Sequence, residues 1–183
     1  MKKGILKFLK ENFDVGYMMG SYVVNRHIPI EYNDVDFFTY LPKKCLLDSN
    51  YVFEGLAVKD EVEIGGCKFK LNGQNYNKEF EFVSYKNHDD FDEILNIIMI
   101  LQPRTAVFPV YDLMKGFDLD ILRVAYNPFN DTDLKLHHFF DQCVETKVIR
   151  HRVLLERFKS WHDPKRVEKY KEKLPGYSFV KEL

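Results

Sequence analysis

Two aspartates one residue apart, Asp34 and Asp36, are the side chains of this sequence best placed to do chemistry. They open the run DVDFFTYL, rich in aromatic and β-branched residues and stopped by Pro42, which is the composition of a buried strand. Side chains of a strand alternate faces, so both carboxylates project to one side, about 7 Å apart. Val35, Phe37 and Phe38 belong in the core, and two like charges at the edge of apolar material repel unless a cation is supplied. Magnesium prefers carboxylates, phosphate oxygens and water, and a pair of such ions can clamp the attacking and leaving oxygens of phosphoryl transfer. A third carboxylate would complete the site. Asp118 and Asp120, again two residues apart, are candidates, and Glu81 in Phe80-Glu81-Phe82 is another. Upstream, Gly20 lets the backbone approach a ligand closely, while Ser21 and the amides of a following helix start can receive phosphate oxygens.

These residues need elements to hold them. Ile5, Leu6, Leu9 and Phe13 fall on one helical face, and the apolar stretch 15–19 runs as a strand into Gly20-Ser21. Strands are expected at 35–41 and, with tight turns at Gly65-Gly66 and Asn72-Gly73, at 51–53, 67–71 and 79–83. Asp89 or Asp90 is placed to cap a helix over 91–101, whose Phe91, Ile94, Leu95, Ile98 and Met99 recur at helical spacing. A short amphipathic piece, 111–115, leads into a strand over 117–126 that starts with Asp118 and Asp120. Thr132 or Asp133 then caps one helix, 144–161 forms another, and Asp163-Pro164 starts a third.

A chain of 183 residues that is 45% apolar suits one domain, 1–183, with 144–183 as a basic helical extension packed on it. The charge is uneven: residues 1–144 carry 16 Lys and Arg against 22 Asp and Glu, and residues 145–183 carry 11 against 6. Nucleic-acid binding needs concentrated positive surface, which only the tail supplies, although Lys and Arg there also serve simply to solvate terminal helices. Cys45, Cys67 and Cys143 have no CxxC spacing, and no histidine pair sits at metal-ligand spacing. Nothing reads as a membrane span or signal peptide, so a cytoplasmic location is expected. His27, beside Arg26 and Pro29, reads as exposed loop surface, and Lys169 and Tyr170 as packing of the tail.

The order of these signals resembles the DNA polymerase β-type nucleotidyltransferase superfamily, whose signature is an apolar run, Gly-Ser, a connection of around ten residues and Asp-apolar-Asp on a strand. Met18-Met19-Gly20-Ser21 is followed here after twelve residues by Asp34-Val35-Asp36-Phe37-Phe38. Gly116-Phe117-Asp118-Leu119-Asp120, together with Arg166, Lys169 and Tyr170, resembles a little-characterised viral and fungal branch with GFD-apolar-D and R-x-x-KY elements. The resemblance implies an α/β (α+β) fold with a mixed central sheet flanked by helices and a helical C-terminal tail. It implies that Gly20 and Ser21 hold nucleotide phosphates and that Asp34 and Asp36 ligate two magnesium ions. A later carboxylate, Asp120 ahead of Asp118, would ligate the catalytic metal and help activate the acceptor.

The implied reaction moves a nucleoside monophosphate from an NTP to an acceptor, which the sequence leaves open among protein, nucleic acid and small molecule. Two other readings stand beside it: an inactive nucleotidyltransferase fold used as a binding or scaffold module, and a metal-dependent nuclease. A viral protein would act in the host cytoplasm.

Overall fold

The computed structural model describes residues 2–40, 59–89, 93–101, 104–152, 154 and 163–182. The architecture is mixed α/β, a central mixed sheet flanked by helices with a C-terminal helical region, and the chain divides into two compact units of interleaved segments.

The first unit comprises residues 1–18, 33–108 and 127–131. Its elements are α1 (Lys2–Asn12), β1 (Gly16–Met19, its last residue beyond the unit), β2 (Asp34–Tyr40), β3 (Glu61–Ile64), β4 (Cys67–Tyr76), β5 (Phe80–Asn87) and β6 (Ile94–Ile100). The strand order is β3-β4-β5-β6-β2-β1. β3, β4, β5 and β6 pair antiparallel in succession, whereas β2 pairs parallel with β6. Gly65 and Gly66 turn β3 into β4 with φ of 61° and 85°, the left-handed values that a tight hairpin turn requires. Asn72-Gly73 is not a turn: the register shifts between Leu71 and Gly73, a bulge within β4.

The helix expected over 91–101 is corrected by β6. The run Ile94-Leu95-Asn96-Ile97-Ile98-Met99-Ile100 is apolar at both parities, and a short apolar run carries no period that separates helix from strand. With β2 on one side and β5 on the other, β6 is a central strand whose residues 95–100 are all buried. Asp90, the alternative cap, and the expected strand at 51–53 lie outside the described residues.

The second unit comprises residues 19–32, 109–126 and 132–183. It holds α2 (Ser21–Val24), α3 (Val110–Met114), a 3₁₀ turn (Asp120–Leu122), β7 (Val124–Tyr126), β8 (Leu134–Leu136), α4 (His138–Thr146), β9 (Val148–His151), α5 (Pro164–Lys173) and β10 (Ser178–Lys181). β7 pairs antiparallel with β8, and β9 parallel with β10. The strand expected over 117–126 is thus broken by the 3₁₀ turn. The helix expected from Thr132 or Asp133 yields to β8, and α4 starts later, capped by His137. The helix expected over 144–161 is corrected at its start, where Lys147 turns left-handed (φ 58°), ends α4, and the β-branched Val148-Ile149 begins β9; residues 153 and 155–161 of it lie outside the described residues. Asp163 caps α5, accepting from the Lys165 amide at 2.9 Å with Pro164 in the first turn, as the sequence indicates.

In the first unit α1 buries Ile5 and Leu9. It approaches the β3–β4 turn so closely that a Cβ on Gly4 would lie 2.6 Å from the Gly65 Cα. Ala is the better helix former by about 1 kcal/mol, but overpacking costs about 1–3 kcal/mol. Gly4→Ala is therefore expected to lower the urea midpoint, and a raised midpoint would show that α1 does not dock on this turn.

Candidate active site

β2 is anchored by its odd-numbered side chains. Val35 and Phe37 are buried, and Thr39 donates its hydroxyl to the Val15 carbonyl. Alternation then sends Asp34 and Asp36 to the opposite face, where both are half-buried. The ladder extends one residue before the strand, the Ile94 amide donating to the Asn33 carbonyl at 3.0 Å. Residues in register share a face, so Asn96 of β6 stands beside Asp36 and Ser84 of β5 beside Asn96. Asn96 Nδ2 donates to Asp36 Oδ1 at 2.8 Å, and Asn72 Nδ2 to Ser84 Oγ at 3.3 Å, so a polar row runs across the sheet from Asp36.

Glu81 faces the other way. It is in register with Met99, and Met99 with Thr39, on the face of Val35 and Phe37. There it is fully buried and accepts from Gln74 Nε2 at 2.7 Å. Among the described residues no group of three or more His, Cys, Asp or Glu side chains is arranged to hold a metal. Two carboxylates with an amide beside them are nonetheless a hard, all-oxygen donor set. It fits a magnesium-type cation, which keeps several waters and takes one or two carboxylates plus substrate phosphates.

Gly20 and Ser21 belong to the second unit. Gly20 has φ 78° and ψ −158°, a region open essentially to glycine alone, and its carbonyl accepts from the Val23 and Val24 amides at 3.1 Å each. Ser21, buried, begins the single turn of α2.

Asp118 and Asp120 sit in the second unit as well, at the centre of an ion cluster. Asp120, fully buried, accepts from Arg123 Nη1 and from Arg152 Nε at 3.1 Å and Nη2 at 2.6 Å. Asp118, 2% exposed, accepts from Arg166 Nη1, from His151 Nε2 at 3.2 Å and from the Asp163 amide at 3.2 Å. Arg123 also donates to the Phe117 carbonyl through Nε at 3.1 Å and Nη2 at 2.8 Å. Burial pulls the Arg123 guanidinium down to about 10, partly opposed by Asp120, so it stays charged at neutral pH. The hydrogen bonds that Arg152 donates to Asp120 raise the Arg152 pKa. The partners Arg152 and His151 carried no spacing signal, Arg166 only that of the R-x-x-KY element, and Asn96 only that of a polar residue in an apolar run.

The other tempting side chains are placed plainly. His27 lies edge-on to Phe140 at 5.5 Å, its pKa lowered by burial and by Arg26. Tyr170 is buried and Lys169 exposed. Burial pushes the Cys143 thiol up to about 12, Cys67 is exposed, and Cys45 lies outside the described residues. No helix among the described residues is long and apolar enough to cross a membrane.

No protein-family model matches the chain, and no curated protein matches it. Solved structures do. A CCA-adding enzyme of Thermotoga maritima, complexed with tRNA, is similar at TM-score 0.54 and 18% identity, over 98% of this chain and 38% of that one. An apo CCA-adding enzyme is similar at TM-score 0.57 and 16% identity, over 96% and 38%. A tRNA nucleotidyltransferase with a primer tRNA and an incoming ATP analogue is similar at TM-score 0.51 and 17% identity, over 96% and 46%. The chain thus spans less than half the length of these proteins, and at such identities the likeness is one of fold. The expected viral and fungal branch is corrected, since the matched structures are CCA-adding and tRNA nucleotidyltransferase enzymes. The elements that suggested it are partners of one another, Arg166 holding Asp118.

Two outcomes follow from this geometry. Asp120→Asn leaves Arg123 and Arg152 short of a buried counter-charge and is expected to cost about 3 kcal/mol or more, whereas Asp34→Asn should stay within about 1 kcal/mol. Urea unfolding checks both, and an Asp120→Asn protein as stable as wild type would remove the carboxylate from the buried cluster. The second concerns His137, lowered to about 4 by burial and by its neighbours His138, Arg123 and Lys115, with Asp120 opposing. Neutral in the fold, its Nδ1 accepts from the Phe139 amide at 3.3 Å. From its ordinary 6.5 down to about 4 the unfolded chain binds the extra proton, so stability falls as pH falls through that window, by up to about 3 kcal/mol. His137→Asn, which keeps a cap acceptor without titrating, should flatten that slope in unfolding curves taken between pH 7.5 and 4.5.

Proposed function

We propose that this chain is a nucleotidyltransferase that moves a nucleoside monophosphate from an NTP to a hydroxyl of a nucleic acid. The observation that carries the reading is the pair Asp34 and Asp36 on one half-buried face of β2, fixed by Val35 and Phe37 behind them. In this reading the acceptor hydroxyl loses its proton to water as its oxygen bonds to the α-phosphorus, the bond from that phosphorus to the bridging oxygen breaks, and pyrophosphate leaves. Magnesium bound at the pair would supply neutralisation of the triphosphate and of the charge developing on the leaving oxygens. Asp34 and Asp36 hold that position, and Asn96 fixes the rotamer of Asp36 by its hydrogen bond. For Gly20 and Ser21, which belong to the second unit, the resemblance implies a phosphate-holding role, carried by a backbone without a Cβ and by a hydroxyl. We assign Asp118 and Asp120 to holding the second unit together, because each is already saturated by guanidinium and other donors. The nucleic-acid acceptor is supported by the tRNA named with two of the similar structures.

A second reading, a nucleotide-binding module without transfer, is favoured by one observation: the position in register with Asp36 holds an amide, not a carboxylate. Incubation with labelled NTP, Mg2+ and RNA, with pyrophosphate measured in parallel, separates the two. Transfer is expected from the wild type. Asp34→Asn/Asp36→Asn should lower it roughly a hundredfold or more with an unchanged melting temperature. Full transfer by the double variant would overturn the assigned site, and Mg2+-dependent NTP binding without pyrophosphate release would favour the binding module.

A further inference from the structure

We infer that the face of the first unit carrying Asp34 and Asp36 is also a platform for the single-stranded end of the nucleic-acid acceptor, with Lys86 and Lys70 on its phosphates and Phe82 against a base; this rests on the acceptor proposed above. The face is set by register. Lys86 of β5 pairs with Ile94, which pairs with Asp34, and Lys70 of β4 pairs with Lys86, so these side chains form one row on one side of the sheet. Strands are spaced about 4.8 Å apart, which puts the Lys86 position about 10 Å and the Lys70 position about 14 Å from that of Asp34. The His88 amide donates to the Lys68 carbonyl at 2.8 Å, so Lys68 and His88 are a hydrogen-bonded pair. Two residues along, Lys70 and Lys86 are another, with Cα atoms about 5.5 Å apart. Both ammonium groups can then meet the same stretch of backbone, and a phosphate between them turns the repulsion of opposed cations into attraction.

Among the described residues α1 is the one helix of the first unit, and it packs on the opposite face, Phe13 lying 5.4 Å from Phe37. On the lysine face Lys70 is exposed, and Lys86 is half-buried and has a contact within the fold. Phe82 shares the parity of Lys86 along β5 and is half-buried. Its register with Ile98, and through it with Phe38, puts it where the apolar end of the face meets the polar end. The two residue types divide the work. Lysines hold phosphate as point charges with little geometry, whereas an aromatic ring gives a base a plane to stack on and so fixes its position. The lysine row stops at β3, where Glu61 stands opposite Lys70 and 3.3 Å from Lys68. That carboxylate repels a longer polyanion, so the contact is with about one phosphate per lysine. A terminal hydroxyl at Asp34 and Asp36 therefore leaves the phosphates behind it over β5 and β4.

The test measures binding apart from transfer. The full chain is titrated into a labelled single-stranded RNA in Mg2+ without NTP, over a series of KCl concentrations, and binding is read by fluorescence anisotropy. Lys70→Gln and Lys86→Gln should each weaken binding about threefold or more and reduce the slope of log Kd against log salt by about 0.7, the value for one phosphate contact on a single strand. Phe82→Leu should weaken binding about fivefold or more with the slope unchanged, because it removes stacking and no charge. Lys10→Gln, exposed on α1, should match wild type. Lysine variants within about twofold of wild type and with its slope overturn the inference, as does an equal loss in Lys10→Gln or a wild type that binds no RNA. A Phe82→Leu protein of wild-type affinity overturns the stacking role. If Lys86→Gln does not fold, Lys70→Gln decides alone. Transfer assays separate the two levels. Lys70→Gln should raise the KM for RNA about threefold and leave kcat and the KM for NTP unchanged, and a rise confined to NTP assigns the lysine to the triphosphate and overturns the inference. If Asp34→Asn/Asp36→Asn loses transfer while the lysine variants bind RNA as wild type does, the function stands and the platform falls. If the lysines carry RNA binding in a chain that never transfers, the platform stands and the function falls.

Discussion

The parallel ladder between β2 and β6 is the constraint on which the candidate site depends. It fixes Asp34 opposite Ile94 and Asp36 opposite Asn96, and everything about the carboxylates follows from that register. A slip by one residue would turn Asp34 and Asp36 into the face now filled by Val35 and Phe37 and bring those side chains out, at a cost of several kcal/mol for the desolvated charges and the lost apolar burial together. β6 resists such a slip because it is held on both sides, parallel to β2 and antiparallel to β5. Its apolar residues at both parities are the consequence of that central position, and Asn96 is the exception that the polar face requires.

The sequence contains the same three-residue pattern twice, and physics separates the two copies. In Asp34-Val35-Asp36 and in Asp118-Leu119-Asp120 the middle residue is buried, at 2% and 0% exposure. In the strand, alternation keeps the flanking carboxylates at a half-buried face that water and ligands reach. At 118–120 an isolated bridge from Leu119 to His151 and the following 3₁₀ turn draw both carboxylates inward instead. Buried carboxylates are tolerated only with strong donors, and here these are Arg123, three residues on from Asp120, and, from distant parts of the chain, His151, Arg152, the Asp163 amide and Arg166. Arg152 continues to Glu182 at 3.2 Å, so the cluster fastens the C-terminal segment of the second unit to its 117–123 loop.

Much of this was legible from the residues. Alternation in DVDFFTYL placed Asp34 and Asp36 on one face of a strand, Gly65-Gly66 marked a hairpin turn, and Asp163-Pro164 marked the start of α5. What could not be read was set by long-range partners. The strand β6 was mistaken for a helix because an apolar run buried on both faces carries no period. Asp118 and Asp120 read as ligands because, apart from Arg123 three residues beyond Asp120, their counter-charges Arg152 and Arg166 lie 32 and 48 positions away, a separation at which no spacing rule operates. Glu81 read as a third candidate because nothing in Phe80-Glu81-Phe82 tells which face of the sheet it takes; that is decided by its register with Met99 and Thr39.

The same internal pairing changes what the basic C-terminal region has to offer a polyanion. Among the described residues its guanidinium groups, at Arg150, Arg152 and Arg166, are engaged with Glu182, Asp120 and Asp118, and a charge compensated inside the fold contributes little to counterion release from phosphates. What remains at the surface of α5 is Lys165, Lys169 and Lys171, the last of them 2.8 Å from Glu168. Lysines act on phosphate as point charges, without the two-pronged geometry of arginine, so this face can attract a nucleic-acid backbone but has little means of fixing its register. A chain that transfers a nucleotide to a nucleic acid must hold the acceptor end within reach of Asp34 and Asp36. In the proposed reaction, the described arginines of the tail would therefore offer little geometry for fixing an acceptor end.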